Sequence, residues 1–202
     1  MKNLTISCDL TDDSILWKYL KMGDERAFSK LFEKYYNHLV HYGNSISSFP
    51  EKVQDCIQDV FTDIWVYRQN LDESVVVKAY LLSSVRKRIS RLQERDHIFR
   101  QTTSIDSINF LFDFSIEYHL ITDEETTSKV VRINALLNEL PPRQKEALYL
   151  RYYQGLTVEQ IADNFQVNYQ SANNILHRAL VKLRKEWKHE YLLILLLSSN
   201  IH

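Results

Sequence analysis

The side chains best suited to chemistry in this 202-residue chain cluster between Thr157 and Arg184, TVEQIADNFQVNYQSANNILHRALVKLR. Asn168, Tyr169, Gln170, Ser171, Asn173, Asn174, His177, Arg178 and Lys182 supply amides, hydroxyls, an imidazole and two cations. Amides and hydroxyls hydrogen-bond base edges, and cations pair with phosphates. No nucleophile with an adjacent base stands among them, so the chemistry is recognition rather than bond breaking. Other candidates are weaker. His38 and His41 stand at i, i+3 and could in principle ligate a metal, but no nearby carboxylate or third His completes a site, so none is expected there. Asp55 and Asp59 lie one helical turn apart with no base, metal ligand or phosphate loop beside them. Cys8 and Cys56 form no CxxC group, as expected of a reducing compartment. No catalytic residue, metal or cofactor is expected.

The elements around these residues read as helices. Thr157 and Gln160 make a capping box, and Ile161, Ala162 and Phe165 give a short apolar face with Ala162 at a close crossing. The first helix ends near Gln166-Val167, and Asn168 caps a second. There Ala172, Ile175, Leu176, Ala179 and Leu183 recur at helical spacing and face inward. The polar residues are left outward on a helix with a basic tail (Lys182, Arg184, Lys185, Lys188), which describes a helix-turn-helix with its second helix fit for a major groove.

The remainder of the chain is of the same class. Only three Gly and three Pro interrupt it and apolar residues reach 45%, so an all-α fold with a packed core is expected. Residues 11–22 predict a short helix closed by Gly23. Asp24 caps a longer one striped with Ala27, Phe28, Leu31, Phe32, Tyr35, Leu39 and Tyr42. In PEKVQDCIQDVFTDIWVYRQN, Val53, Ile57, Val60, Phe61 and Ile64 share one face, and Asp55, Gln58, Asp59 and Thr62 the other. In residues 75–95 the buried stripe is Ala79, Leu82, Val85, Ile89 and Leu92, and Lys78, Arg86, Lys87, Arg88, Arg91 and Arg95 are basic. Residues 96–122 break the pattern and read as a linker, with Asp106, Asp113 and Glu117 among its acids and an aromatic run Phe110, Phe112 and Phe114. Asp123-Glu124-Glu125 open a helix with core positions Val130, Ile133, Leu136, Leu137 and Leu140. Pro141-Pro142 break it and open the next, which runs up to Gly155.

The net charge of −1 hides an alternation. Residues 1–77 carry −4, 78–100 carry +5, 101–142 carry −5 and 143–202 carry +3. Two basic blocks separated by an acidic one mark two places that meet a polyanion. The N-terminus lacks the apolar run of a signal peptide, and Tyr191–Leu197 is too short to span a membrane, so the cytoplasm is expected.

Two stretches together resemble a known family. VQDCIQDVFTDIW is similar to the region 2.2 signature of bacterial sigma factors, a pattern close to AEDxxQEvFxxxW. Asp55, Gln58, Phe61 and Trp65 match, Asp59 stands where Glu is usual, and Val53-Gln54 replaces Ala-Glu. FSKLFEKYYNHLVHYG resembles region 2.1, and the stretch from LNELPPRQKEALYLRYYQG through the helix-turn-helix resembles region 4. The chain is identified as a member of the sigma-70 family of the extracytoplasmic-function (ECF) type. The resemblance implies two small helical domains: residues 1–95 (core polymerase and the −10 element) and 123–202 (the −35 element, helix-turn-helix 157–184), joined by 96–122. It implies that Asp55, Gln58, Asp59 and Phe61 bind core RNA polymerase. Lys78, Tyr80, Arg86, Lys87, Arg88 and Arg91 would then hold the melted −10 strand, and the residues from Asn168 to Lys182 would read double-stranded −35 DNA. The family often has Arg-Asn at Arg86-Lys87 and Asp at Ser90. An anti-sigma factor is the further partner implied. A stand-alone helix-turn-helix regulator would explain residues 141–188 but leave the Asp55–Trp65 stretch without a use. A resolvase-like enzyme would need a nucleophile on a sheet, whereas Ser83-Ser84 lie in a helical run.

Overall fold

A computed structural model describes residues 12–100, 110–111 and 124–186, and all regular structure among them is helical. They fall into two compact units, one within Met1–Asn44 and Phe49–Asp96, the other within Ser45–Ser48 and His97–His202.

In the first unit, α1 (Asp13–Lys21) opens on Asp12, whose carboxylate accepts from the Ser14 N–H at 2.8 Å. The chain turns at Gly23, φ +91°, a conformation costly for any residue with a Cβ. Asp24 then caps α2 (Glu25–Ile46) by accepting from the N–H groups of Arg26 and Ala27. Ala27, Leu31, Tyr35, Leu39 and Tyr42 are buried, as their spacing predicts. Phe28 and Phe32 are half-buried and set their rings against Phe61. α3 (Pro50–Val66) starts on a proline and buries Val53, Cys56, Ile57, Val60, Phe61 and Ile64. It comes so near α2 that a Cβ on Gly43 would stand 2.4 Å from Val53 Cγ1. After a 3-10 turn at Arg68–Asn70, where the Arg68 guanidinium lies 4.6 Å over the Trp65 ring, α4 spans Val77–Arg100. α1 is tied down by the Trp17 indole N–H, which donates to the Asp72 carbonyl at 2.9 Å.

The sequence places the end of helix α4 at Arg95 and the linker from Asp96, but the helix continues to Arg100. No glycine or proline stands between Asp96 and Arg100 to stop it. The buried stripe of α4 also differs: Leu92 is half-buried, while Val77, Leu81 and Arg86 join Ala79, Leu82, Val85 and Ile89 in the interior.

In the second unit, α5 (Glu124–Asn138) turns Ile133 and Leu137 inward. α6 (Pro142–Leu148) passes into a π-helical turn, Tyr149–Tyr153. In this wider turn the Gln154 N–H reaches the Tyr149 carbonyl at 3.0 Å, and its side-chain amide donates to the Tyr149 hydroxyl at 2.7 Å. Phe110 is buried with its ring 5.4 Å from that of Tyr149. α7 (Val158–Phe165) and α8 (Tyr169–Glu186) follow, and α8 packs on both α6 and α7. The linker residues Asp106, Phe112, Asp113, Phe114 and Glu117 and the apolar run Tyr191–Leu197 lie outside the described residues. No helix among those described is long and apolar enough to cross a membrane.

Candidate nucleic-acid interface and docking face

The helix-turn-helix is assembled by local hydrogen bonds that its residue types dictate. Thr157 Oγ1 accepts from the Gln160 N–H at 3.3 Å, and Gln160 Oε1 accepts from the Thr157 N–H at 2.9 Å. Both halves of the capping box are therefore present. α7 ends on Gln166, whose φ of +55° is left-handed. Its N–H, with that of Val167, closes on carbonyls of the last turn. Asn168 Oδ1 then accepts from the Ser171 N–H at 2.8 Å and starts α8. Ala172, Leu176, Ala179 and Leu183 are buried against the unit and Ile175 is half-buried.

What remains on the outer side of α8 is the polar set. Asn168, Tyr169, Gln170, Asn174, His177 and Arg178 are exposed, and Ser171 and Asn173 half-exposed. The Gln170 amide donates to Asn174 Oδ1 at 3.3 Å, so these two amides are already aligned side by side. Lys182 departs from the set. Its ammonium donates to the Glu139 carbonyl at 3.1 Å, just beyond the end of α5. There it satisfies an orphan carbonyl and complements the helix dipole. Arg151 was not anticipated. It is exposed, and its guanidinium donates to the Leu156 carbonyl at 2.8 Å, next to the start of α7. The signal was present in the basic count of this segment, but its position depends on the π-helical turn.

In the first unit the outward face of α3 carries Asp55, Gln58, Asp59, Thr62 and Asp63, all exposed. Phe61 does not belong with them. It is 2% exposed, with its ring centroid 4.9 Å from that of Phe32 and 6.0 Å from that of Phe28. The helical period places it on the Ile57–Ile64 side, so its match to a docking pattern reflects packing.

The basic segment of α4 is divided by the structure. Arg91 is exposed and Lys87 half-exposed. Arg86 is 8% exposed and drawn into the unit, so it is not a surface cation for a phosphate. Lys78 is half-buried, and burial pushes its ammonium below the ordinary lysine range, against the pull of Asp13. Tyr80 packs edge-on to Trp17 at 5.3 Å, and burial pushes its phenol up. Arg88 bridges to α3, with one terminal nitrogen 2.9 Å from Asp59 Oδ2 and the other 2.8 Å from Asp63 Oδ2. The hydrogen bond to Asp59 raises its pKa further. Asp63 was not singled out in the sequence because it has no partner within α3. Among the described residues, no group of three or more His, Cys, Asp or Glu is placed to hold a metal.

A two-unit helical protein with a doubly capped helix-turn-helix belongs to the DNA-binding class. Its residues 131–183 match the family described as sigma-70, region 4. RNA polymerase sigma factor SigZ of Bacillus subtilis is 24% identical over 155 residues, covering 77% of this chain and 84% of that protein. ECF RNA polymerase sigma factor SigK of Mycolicibacterium vanbaalenii is 22% identical over 174 residues, covering 84% and 86%. Among solved structures, CnrH in complex with the cytosolic domain of CnrY superposes with a TM-score of 0.52 at 20% identity, over 86% of this chain and 95% of CnrH. RpoE in complex with the anti-sigma factor NepR from Bartonella quintana gives 0.51 at 20% identity, over 78% and 94%. Residues 131–183 thus carry a sigma-70 region 4 match, and over most of its length the chain is similar to sigma factors, one of them of the ECF type.

Proposed function

We propose that the chain is a promoter-specificity subunit of bacterial RNA polymerase. It binds the core enzyme, recognises −35 and −10 elements and promotes transcription initiation without catalytic residues of its own. The observation that carries this reading is the capped helix-turn-helix of α7 and α8, with its polar outer row inside the region 4 match. In this reading Tyr169, Gln170, Ser171, Asn173, Asn174 and His177 meet base edges in the −35 major groove, and Arg178 a phosphate. Amides paired bidentately to adenine and cations to phosphate are the contacts such side chains make. Asp55, Gln58 and Asp59 dock on core polymerase, because exposed carboxylates and an amide form charge-assisted bonds with basic partners. Lys87 and Arg91 hold the phosphates of the melted −10 strand. Residues 1–95 and 123–202 act as separate binding modules on either side of the linker.

The two solved neighbours are complexes, one of them with an anti-sigma factor. That likeness supports an anti-sigma partner for this chain as well. Action in the cytoplasm, where core polymerase and promoter DNA meet, completes the reading.

Run-off transcription tests it. Core polymerase lacking any sigma factor is given genomic DNA with and without this protein. Promoter-dependent transcripts are expected only with the protein. A folded protein that neither binds core nor yields transcripts, but still binds DNA, would instead be a stand-alone regulator.

A further inference from the structure

Arg88 belongs to the basic segment that carries the −10 reading, yet its guanidinium is turned towards the acidic row of α3. Its two terminal nitrogens contact Asp59 at 2.9 Å and Asp63 at 2.8 Å. All three side chains remain open to water, 36% exposed for Arg88, 58% for Asp59 and 52% for Asp63. Asp59 and Asp63 stand one helical turn apart on the face that also presents Asp55 and Gln58. One cation is thus claimed by two faces. In this conformation it neutralises carboxylates that a basic partner would use, and it is withheld from phosphate.

The hold is exchangeable. Ion pairs this open to solvent are weak, and the guanidinium fork fits a phosphate as well as a carboxylate. We propose that Arg88 is a shared cation coupling polymerase docking to promoter binding. A basic partner that takes over Asp59 and Asp63 releases Arg88, which then pairs with a promoter phosphate. The inference rests on the sigma-factor reading above. Linkage makes the coupling reciprocal, so a phosphate that captures Arg88 leaves the α3 carboxylates open to polymerase.

Two consequences of opposite sign follow. Removing the Arg88 charge strengthens docking in the absence of DNA, because an internal competitor is gone. The same change removes one phosphate contact from the DNA complex. A residue that only braced α3 against α4 would weaken docking when removed, and one that only touched DNA would leave docking unchanged.

The test compares full-length wild type with Arg88→Gln and Arg88→Lys. Binding to core polymerase is measured without DNA, and promoter binding by the assembled complex is measured across a salt series. For Arg88→Gln, docking is expected to tighten about two- to fivefold. The slope of log K against log salt is expected to fall by about 0.7 to 0.9. Arg88→Lys keeps the wild-type slope. Asp63→Asn supplies a second, independent arm: it loosens the hold on Arg88, so the free chain should bind single-stranded −10 DNA more tightly, with a steeper salt dependence. Weaker or unchanged docking of Arg88→Gln, an unchanged slope, or no gain with Asp63→Asn overturns the coupling. Wild type that binds core and initiates transcription, with any of those results, sinks only this inference. Folded wild type that does not bind core removes the function reading and the coupling with it.

Discussion

At the scale of single residues, neighbours in sequence have opposite fates. Gln58 and Phe61 both match a docking pattern, but one faces water and the other the Phe28–Phe32 cluster. Phe61→Ala should therefore cost roughly 3–5 kcal/mol in urea unfolding. Gln58→Ala should stay within about 0.5 kcal/mol and show its effect as weaker core binding. Arg178 and Lys182 divide in the same way. Arg178→Ala should lower the salt slope of DNA binding by about 0.9, whereas Lys182→Ala, whose ammonium serves the Glu139 carbonyl, should leave it nearly unchanged. Lys78 offers a pH signature. Its folded pKa lies below its ordinary 10.5, chiefly through burial. In the window between those values the unfolded chain binds more protons, so stability rises with pH there and the penalty is full below it. Lys78→Met should raise the melting temperature at neutral pH, and the gain should shrink as the pH approaches 10.5.

At the scale of elements, the turn between α7 and α8 and the approach of α2 to α3 are the sensitive places. Gln166 holds a left-handed conformation that a side chain opposes, at a cost of roughly 1–2 kcal/mol. Gln166→Gly should raise the stability of the second unit by about 0.5–1 kcal/mol, less than the full strain because glycine gains freedom when unfolded. Thermal unfolding would read this. Gly43 is needed for closeness rather than for its backbone angles. Gly43→Ala drives a methyl into Val53 and should cost about 1–3 kcal/mol. Val53→Ala in the same chain should recover part of that loss, a coupling that a double-mutant cycle measures. The sequence shows that α2 and α3 are amphipathic but not where they cross, so the use of Gly43 was not legible in it.

At the scale of the whole molecule, the sigma-factor reading separates two DNA contacts into two units. Asn174→Ala should relax preference at one −35 position by about 1–3 kcal/mol and leave the −10 preference intact. Binding selection on randomised promoters would show both. Relaxation at both elements together would mean that the units do not read DNA separately. The alternation of charge along the chain is the ground in the sequence for expecting two polyanion sites. It did not foretell that Arg88 would turn to Asp59 and Asp63, since an ion pair between helices depends on how they pack.

The sequence by itself determined what is local. Caps at Thr157 and Asn168, prolines at Pro50 and Pro142, and apolar spacing along each helix act within a few residues, and they set the helices and the polar row on α8. Tertiary structure alone decided what depends on neighbours distant in the chain. It buried Arg86, half-buried Lys78, gave Lys182 to a carbonyl, and set Arg88 between two carboxylates. Hydrophobic period fixes which face of a helix turns inward, but the reach and partners of a long polar side chain follow from the helix packed beside it.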